Sequence, residues 1–262
     1  MLDIRNLTVS FLDKQGGEAV RGVNLHMDEG EALGLVGESG SGKTMLALTV
    51  AGLVKRGITQ CSGEILFGGR DLLRCSRTEL RAIQGREIGF VFQEPMSSLN
   101  PLMRVGEQVE EPLRIHFREI TPSRRREMAL EAMERVDLRD PVSMYKKYPH
   151  QLSGGERQRI MIASAIITNP RLIIADEPTT ALDVTVQMQI TRLLRLIVRD
   201  QGAALLFISH DLSIVSRLCY RVAVMLAGEI VEAGPTEEIF MNPKEDYTKR
   251  LIEAIPKREK RR

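Results

Sequence analysis

Apolar and polar positions alternate through "LDIRNLTVSF" and again through "AVRGVNLHM", with "DKQGGE" between them. A period of two marks strands with one buried face, so the chain is predicted to open with a strand pair around a turn. "EALGLVG" follows as a short buried strand, then a glycine-rich loop, then "TMLALTVAGLV", a mostly apolar helix that Gly57 stops. Strand, loop and helix in that order make one supersecondary unit. "SGEILFGGRDL" and a run into "EIGFVFQ" read as β again, and the character changes at Gln93. From about residue 104 to residue 168 the sequence is helix-forming, most clearly in "PSRRREMALEAMERV". Apolar strands return at "RLIIAD" and "ALLFIS", separated by the helical pattern "VQMQITRLLRLIVRD". The expected fold class is therefore α/β. Its core is expected over residues 1–92 and 169–235, with an antiparallel β subdomain at the N-terminus. A helical insertion is expected over 93–168, and a C-terminal segment with a basic tail over 236–262.

Composition narrows the function classes. A net charge of +2 over 262 residues lacks the basic excess of a nucleic-acid binder, so no nucleic acid is expected as partner. Cys61, Cys75 and Cys219 are odd in number and fall in no metal-ligand spacing, which suits a reducing compartment. None of His26, His116, His150 and His210 clusters with cysteine, so a protein-bound transition metal is not expected. No window approaches the ~18 apolar residues of a spanning helix, and "MLDIRNLTVS" has no signal-peptide pattern. Membrane association would then go through a partner or the surface. Residues 124–126, "RRR", read as a solvated helix face, and 257–262 as a disordered end.

Residues 37–44, "GESGSGKT", match the eight-residue phosphate-loop pattern. Gly37, Glu38, Ser39, Gly40, Ser41 and Gly42 let backbone N–H groups wrap phosphates, Lys43 reaches the outer phosphates, and the Thr44 hydroxyl suits Mg²⁺. The strand before and the helix after are the context that such a loop requires, so the core is expected to be that of a P-loop NTPase binding ATP or GTP. "RLIIADEP" supplies acids at a strand's C-terminal edge, where ligands of α/β sheets sit. Asp176 is expected to hold Mg²⁺ through water and Glu177 to position and polarise the attacking water. A free glutamate, at about pKa 4.3, is a weak base, so geometry and the metal's field must do most of this. "LSGGERQR" looks like a second phosphate cradle without a lysine: Ser153, Gly154, Gly155 and Glu156 open a helical run whose positive end favours an anion.

Taken in order, the loop at 37–44, Gln93, "LSGGE" at 152–156, Asp176 with Glu177, "ALD" at 181–183 and His210 in "ISHD" resemble the ATP-binding subunits of ABC transporters, over nearly the whole chain. The resemblance implies ATP and Mg²⁺, the metal held by Thr44, Gln93 and Asp176. It implies catalytic roles for Glu177, Gln93 and His210, nucleotide contacts from Asp183 and the signature residues, and adenine stacking on Phe11. It also explains the missing lysine: in that family the signature loop serves the nucleotide of the opposite subunit, so Ser153 and Gly155 would meet the γ-phosphate in trans. Implied partners are a second ABC ATPase subunit, identical or different, and a membrane permease whose cytoplasmic helix enters a groove at 93–108. An extracellular substrate-binding protein is implied indirectly, and the location is the cytoplasmic face of the membrane. A soluble ABC ATPase on ribosomes or DNA is the alternative, as is an exporter ATPase; the former usually fuses two cassettes or carries long coiled-coil insertions.

"VFQEPMSSLNP", "YPHQLSGGERQRIMIA", "LDVTVQMQI", "HDLSIV" and "DYTKRLIEAIP" are similar to the peptide and nickel importer branch of that family. Peptide ATPases of the branch often carry a longer C-terminal extension with a cysteine cluster, and no cysteine follows Cys219 here. Nickel or another small cargo therefore stands beside peptides as an expectation.

Overall fold

Strands β1 (Leu2–Phe11) and β2 (Glu18–Met27) pair antiparallel, Leu2 opposite Met27, as the alternation predicts. The computed structural model describes residues 1–12, 16–55, 57–180 and 182–254. Residues 13–15 of the first turn, Ala181 of "ALD" and the basic tail lie outside the described residues. The chain forms two compact units, one from residues 1–74 with 206–262 and one from 75–205.

In the first unit β4 (Thr59–Phe67) pairs antiparallel with β1, and β5 (Arg70–Asp71) completes the sheet order β2-β1-β4-β5. The buried residues of β1 are Leu2, Ile4, Leu7 and Val9, so the period of two skips one position between Ile4 and Leu7. An uncorrected skip would turn Leu7 and Val9 to the wrong face. Asn6 absorbs it by taking a left-handed φ of 46°, and the register of β1 shifts there against both neighbours. Opposite, Gly63 sits at φ 97°, where a side chain would overlap the Asn6 carbonyl.

The other strands of this unit run β10-β9-β3. β3 (Ala32–Val36) is buried throughout and parallel to β9 (Arg221–Leu226), to which β10 (Glu229–Pro235) is antiparallel. Helix α1 (Lys43–Val50) stops well before Gly57, because Gly52 turns left-handed at φ 66° and Leu53 N bonds back to Leu48 O. Helices α9 (Leu212–Leu218), α10 (Thr236–Met241) and α11 (Asp246–Glu253) complete the unit. Cys219 is buried here, and burial pushes its thiol up to about 12.

The second unit begins with α2 (Arg77–Ile83), started by a Ser76–Glu79 capping box. β6 (Ile88–Val91) and β7 (Leu172–Asp176) pair parallel, Val91 opposite Ala175. Between them run α3 (Pro95–Ser98), α4 (Val105–His116), α5 (Pro122–Arg135), α6 (Pro141–Tyr145), a single 3₁₀ turn (Pro149–Gln151) and α7 (Gly154–Ile166). Val109, Leu113, Ala129, Met133 and Ile160 are buried in this helical cluster. Arg159 is 7% exposed; it donates to the Val136 carbonyl at 2.6 Å and to Gln189 Oε1 at 3.0 Å, which ties α7 to α8 (Val184–Gln201). Tyr145 donates to Glu110 Oε1 at 2.6 Å, lies under the Arg126 guanidinium, and takes the space that a side chain on Gly106 would need. β8 (Ala204–Ile208) carries the chain from the second unit into the first. Among the described residues no helix is long and apolar enough to cross a membrane.

Candidate nucleotide-binding site

The phosphate loop joins β3 to α1 in the first unit. Gly37 sits at φ 153° and Gly42 at φ 104°. A side chain on Gly37 would overlap the Met225 carbonyl and one on Gly42 the Ala19 carbonyl; both neighbours are backbone, so neither can yield. Lys43 is 4% exposed, and its Nζ donates to Gly37 O at 2.8 Å, Glu38 O at 2.7 Å and Ser41 Oγ at 3.3 Å. A buried ammonium needs such partners, and here the loop's own backbone supplies them. Ser39, Gly40 and Thr44 are exposed, and no side chain caps the start of α1. The loop thus offers glycine backbone, a fixed cation and a helix N-terminus together, the combination that receives phosphate.

His210 is exposed just after β8. Its segment is set by Ser209 N, which donates to Leu35 O of β3 at 3.2 Å, and by Asp211, which caps α9 through Ser213 N at 2.8 Å. His210 therefore follows a residue bonded to the strand that feeds the phosphate loop. Phe11 ends β1, opposite Thr59, with its side chain partly exposed.

In the second unit the parallel pairing of β6 and β7 does the positioning. Val91 is opposite Ala175, so two residues further on Gln93 comes beside Glu177, and Gln93 Nε2 donates to Glu177 Oε2 at 3.2 Å. Thr180 Oγ1 donates to the same oxygen at 2.9 Å. Glu177 itself has φ 43°, a conformation uncommon outside glycine, asparagine and aspartate, and Thr180 N bonds to its carbonyl at 3.2 Å. Asp176 ends β7 and is 3% exposed.

The signature stretch is a helix start. Ser153 caps α7: its hydroxyl accepts from Glu156 N at 3.3 Å, while Glu156 Oε2 accepts from Ser153 N at 2.8 Å. Burial acts against the Glu156 carboxylate, but the Ser153 N–H and hydroxyl outweigh it and hold its pKa below the usual value. Gly155 faces α8 closely, a side chain there coming 3.0 Å from Val186 Cγ1. Asp183 caps α8, its Oδ1 accepting from Thr185 N and Val186 N at 3.0 Å each. The carboxylates of Glu156 and Asp183, expected from the sequence as nucleotide contacts, are thus engaged in helix caps.

The predicted residues therefore fall into two sets, each gathered within one unit: Phe11, 37–44 and His210 in the first, Gln93, 153–156, Asp176, Glu177 and Asp183 in the second. Thr180 is a residue beside Glu177 that the sequence did not reveal; the second of two threonines carries no signal of a bond to a carboxylate. No group of three or more His, Cys, Asp and Glu suited to a metal ion occurs among the described residues. Thr44 in the first unit and Gln93 and Asp176 in the second are each oxygen donors, the type that a hard cation takes.

Residues 20–180 match the family described as ABC transporter. The oligopeptide transport ATP-binding protein OppD of Bacillus subtilis is 45% identical, over 98% of this chain and 72% of its own length. The dipeptide transport ATP-binding protein DppD of Lactococcus lactis is 44% identical, over 98% and 74%. Among solved structures, a dimeric post-hydrolysis ATP-binding cassette bound to ADP and Pi superposes with a TM-score of 0.81 at 31% identity, over 90% of this chain and 99% of that one. The match over residues 20–180 and the 44–45% identity over 98% of the chain show that it belongs to the ABC transporter family as one of its ATP-hydrolysing subunits.

Proposed function

We propose that this chain binds and hydrolyses Mg-ATP as a peripheral subunit of a peptide importer, acting as a dimer at the cytoplasmic face of the membrane. The observation that carries the reading is Lys43, buried within the phosphate loop and bonded to its carbonyls. The names of OppD and DppD favour peptides over nickel as cargo. No observation favours the soluble or exporter alternatives.

The loop N–H groups and Lys43 bind the outer phosphates, with Glu38, Ser39, Gly40 and Ser41 shaping the turn. Thr44, Gln93 and Asp176 would hold Mg²⁺, which when bound neutralises phosphate charge. Glu177 orients the attacking water, Gln93 and Thr180 fix its carboxylate, and His210 donates toward the γ-phosphate. Phe11 stacks on adenine. The N-terminus of α7, with Ser153 and Gly155, serves a nucleotide on a second cassette, identical or different. The helices between Gln93 and residue 168 form the signature subdomain, whose 93–108 stretch receives the permease. An extracellular binding protein delivers cargo without touching this chain, and nucleic acid plays no part.

The trans arrangement is tested with Lys43→Ala in one copy and Ser153→Arg in the other, both in a Glu177→Gln background. If each site joins one copy's loop to the other's signature, a verified mixed dimer has one intact site and occludes half the ATP of the parent. Occlusion no greater than in the separate variants overturns the arrangement.

A further inference from the structure

The peptide group between Gly37 and Glu38 is held at both ends. Its carbonyl accepts from Lys43 Nζ at 2.8 Å, and its N–H, that of Glu38, donates to the Tyr247 hydroxyl at 2.9 Å. Tyr247 lies 209 residues further along the chain, on α11, and is 7% exposed. The start of α11 is fastened to β10: the Glu232 carboxylate accepts from Lys244 N at 2.8 Å and from Glu245 N at 3.2 Å. Burial acts against that carboxylate, yet the N–H groups it accepts hold its pKa below the usual value.

A phenyl ring alone would fill the same buried space, and the hydroxyl adds a bond to the loop. Peptide groups are planar, so fixing the N–H of Glu38 fixes the direction of the Gly37 carbonyl. That carbonyl is one of the acceptors that place the lysine. Gly37 cannot supply the restraint itself, since it has no side chain and sits at φ 153°. Burial also raises the pKa of Tyr247, which keeps the hydroxyl neutral around physiological pH.

We propose that Tyr247 is a positioning residue for nucleotide binding: acting through the Gly37–Glu38 peptide group, it holds Lys43 toward the outer phosphates, so that the C-terminal helix sets the affinity of the phosphate loop. The inference rests on the phosphate-loop reading above. It places a determinant of ATP affinity outside the phosphate loop, the acid pair and the signature stretch, within the phrase "DYTKRLIEAIP".

The test is titration of the full chain with a fluorescent ATP analogue, alongside steady-state ATPase and thermal unfolding without nucleotide. Tyr247→Phe keeps the ring and removes the acceptor. Loss of one hydrogen bond at the loop should raise Kd by about threefold to tenfold. KM should rise by a similar factor while kcat stays within about twofold, because the bond acts equally in ground and transition states. The Glu38 amide should also exchange its hydrogen faster. Glu232→Gln loosens the start of α11 without touching the loop and should move Kd in the same direction, which keeps the test open if Tyr247→Phe fails to fold. If both variants bind nucleotide as the parent does and only their unfolding midpoints fall, α11 is packing alone and the inference is overturned. Lys43→Ala separates the two failures: unchanged affinity there sinks the phosphate-loop reading, whereas lost affinity there with unchanged Tyr247→Phe sinks only the tyrosine.

Discussion

Thr180→Val should slow ATP hydrolysis about tenfold without weakening ATP binding. The threonine hydroxyl donates to Glu177 Oε2 at 2.9 Å, and the bond to the same oxygen from Gln93 is longer at 3.2 Å. Valine keeps the shape and removes the donor. A hydrogen bond to a charged group contributes ~1.5–3 kcal/mol when well shielded. Glu177 is only partly buried, so water can replace much of that, and the low end applies. About 1.4 kcal/mol of lost orientation corresponds to a tenfold rate change. The backbone adds to the sensitivity: at φ 43° Glu177 is held by its surroundings, and Thr180 closes that turn by both backbone and side chain. The assay is single-turnover hydrolysis at saturating Mg-ATP, with nucleotide affinity measured separately. Thr180→Ser restores the donor and should recover most of the rate. Hydrolysis within twofold of the parent in Thr180→Val, or a parallel loss of affinity, would refute the positioning role.

Two further outcomes concern the second unit. The Glu156 carboxylate has a lowered pKa in the folded chain, so its contribution to stability is full above the ordinary 4.5 and is lost as pH falls through the lower folded value. The unfolding midpoints of the parent and Glu156→Gln should therefore differ above pH 4.5 and converge below it; a gap that persists unchanged in acid contradicts this. Gly106→Ala should lower the midpoint despite alanine's helix propensity of ~1 kcal/mol over glycine, because the added methyl overlaps the Tyr145 ring, and overpacking costs about 1–3 kcal/mol. A raised midpoint would show that the ring, tied to Glu110 and covered by Arg126, moves aside freely.

The loop at 37–44, the acids where β7 ends and the start of α7 were legible because phosphate and metal chemistry dictate residue types at fixed spacing. Strands β3, β7 and β8 were legible as unbroken apolar runs. The skip in β1 was not, since a bulge at Asn6 looks like ordinary alternation until the buried positions are counted. Helix α1 was read too long because Gly52 lies inside an apolar run that carries the pattern past the true end. The seven-residue α2 is too short for periodicity, although Ser76 and Glu79 stand at capping-box spacing. Thr180 left no trace, and Tyr247 stood in the branch-like phrase "DYTKRLIEAIP" with no sign of its partner, for opposite reasons. The threonine acts over three residues through a hydroxyl that could bond anywhere, and the tyrosine acts over 209, a distance at which no local pattern exists.

The first unit is assembled from the beginning and the end of the chain, which bears on how it is made. Residues 75–205 are continuous and can close their contacts as soon as they leave the ribosome. The phosphate loop cannot: β9, the parallel neighbour of β3, and Tyr247 are still to be translated. At ~5–20 residues per second, Glu38 waits roughly 10–40 s for the hydroxyl that receives its N–H. During synthesis the most recognisable nucleotide motif is thus among the last parts of the chain to gain its support.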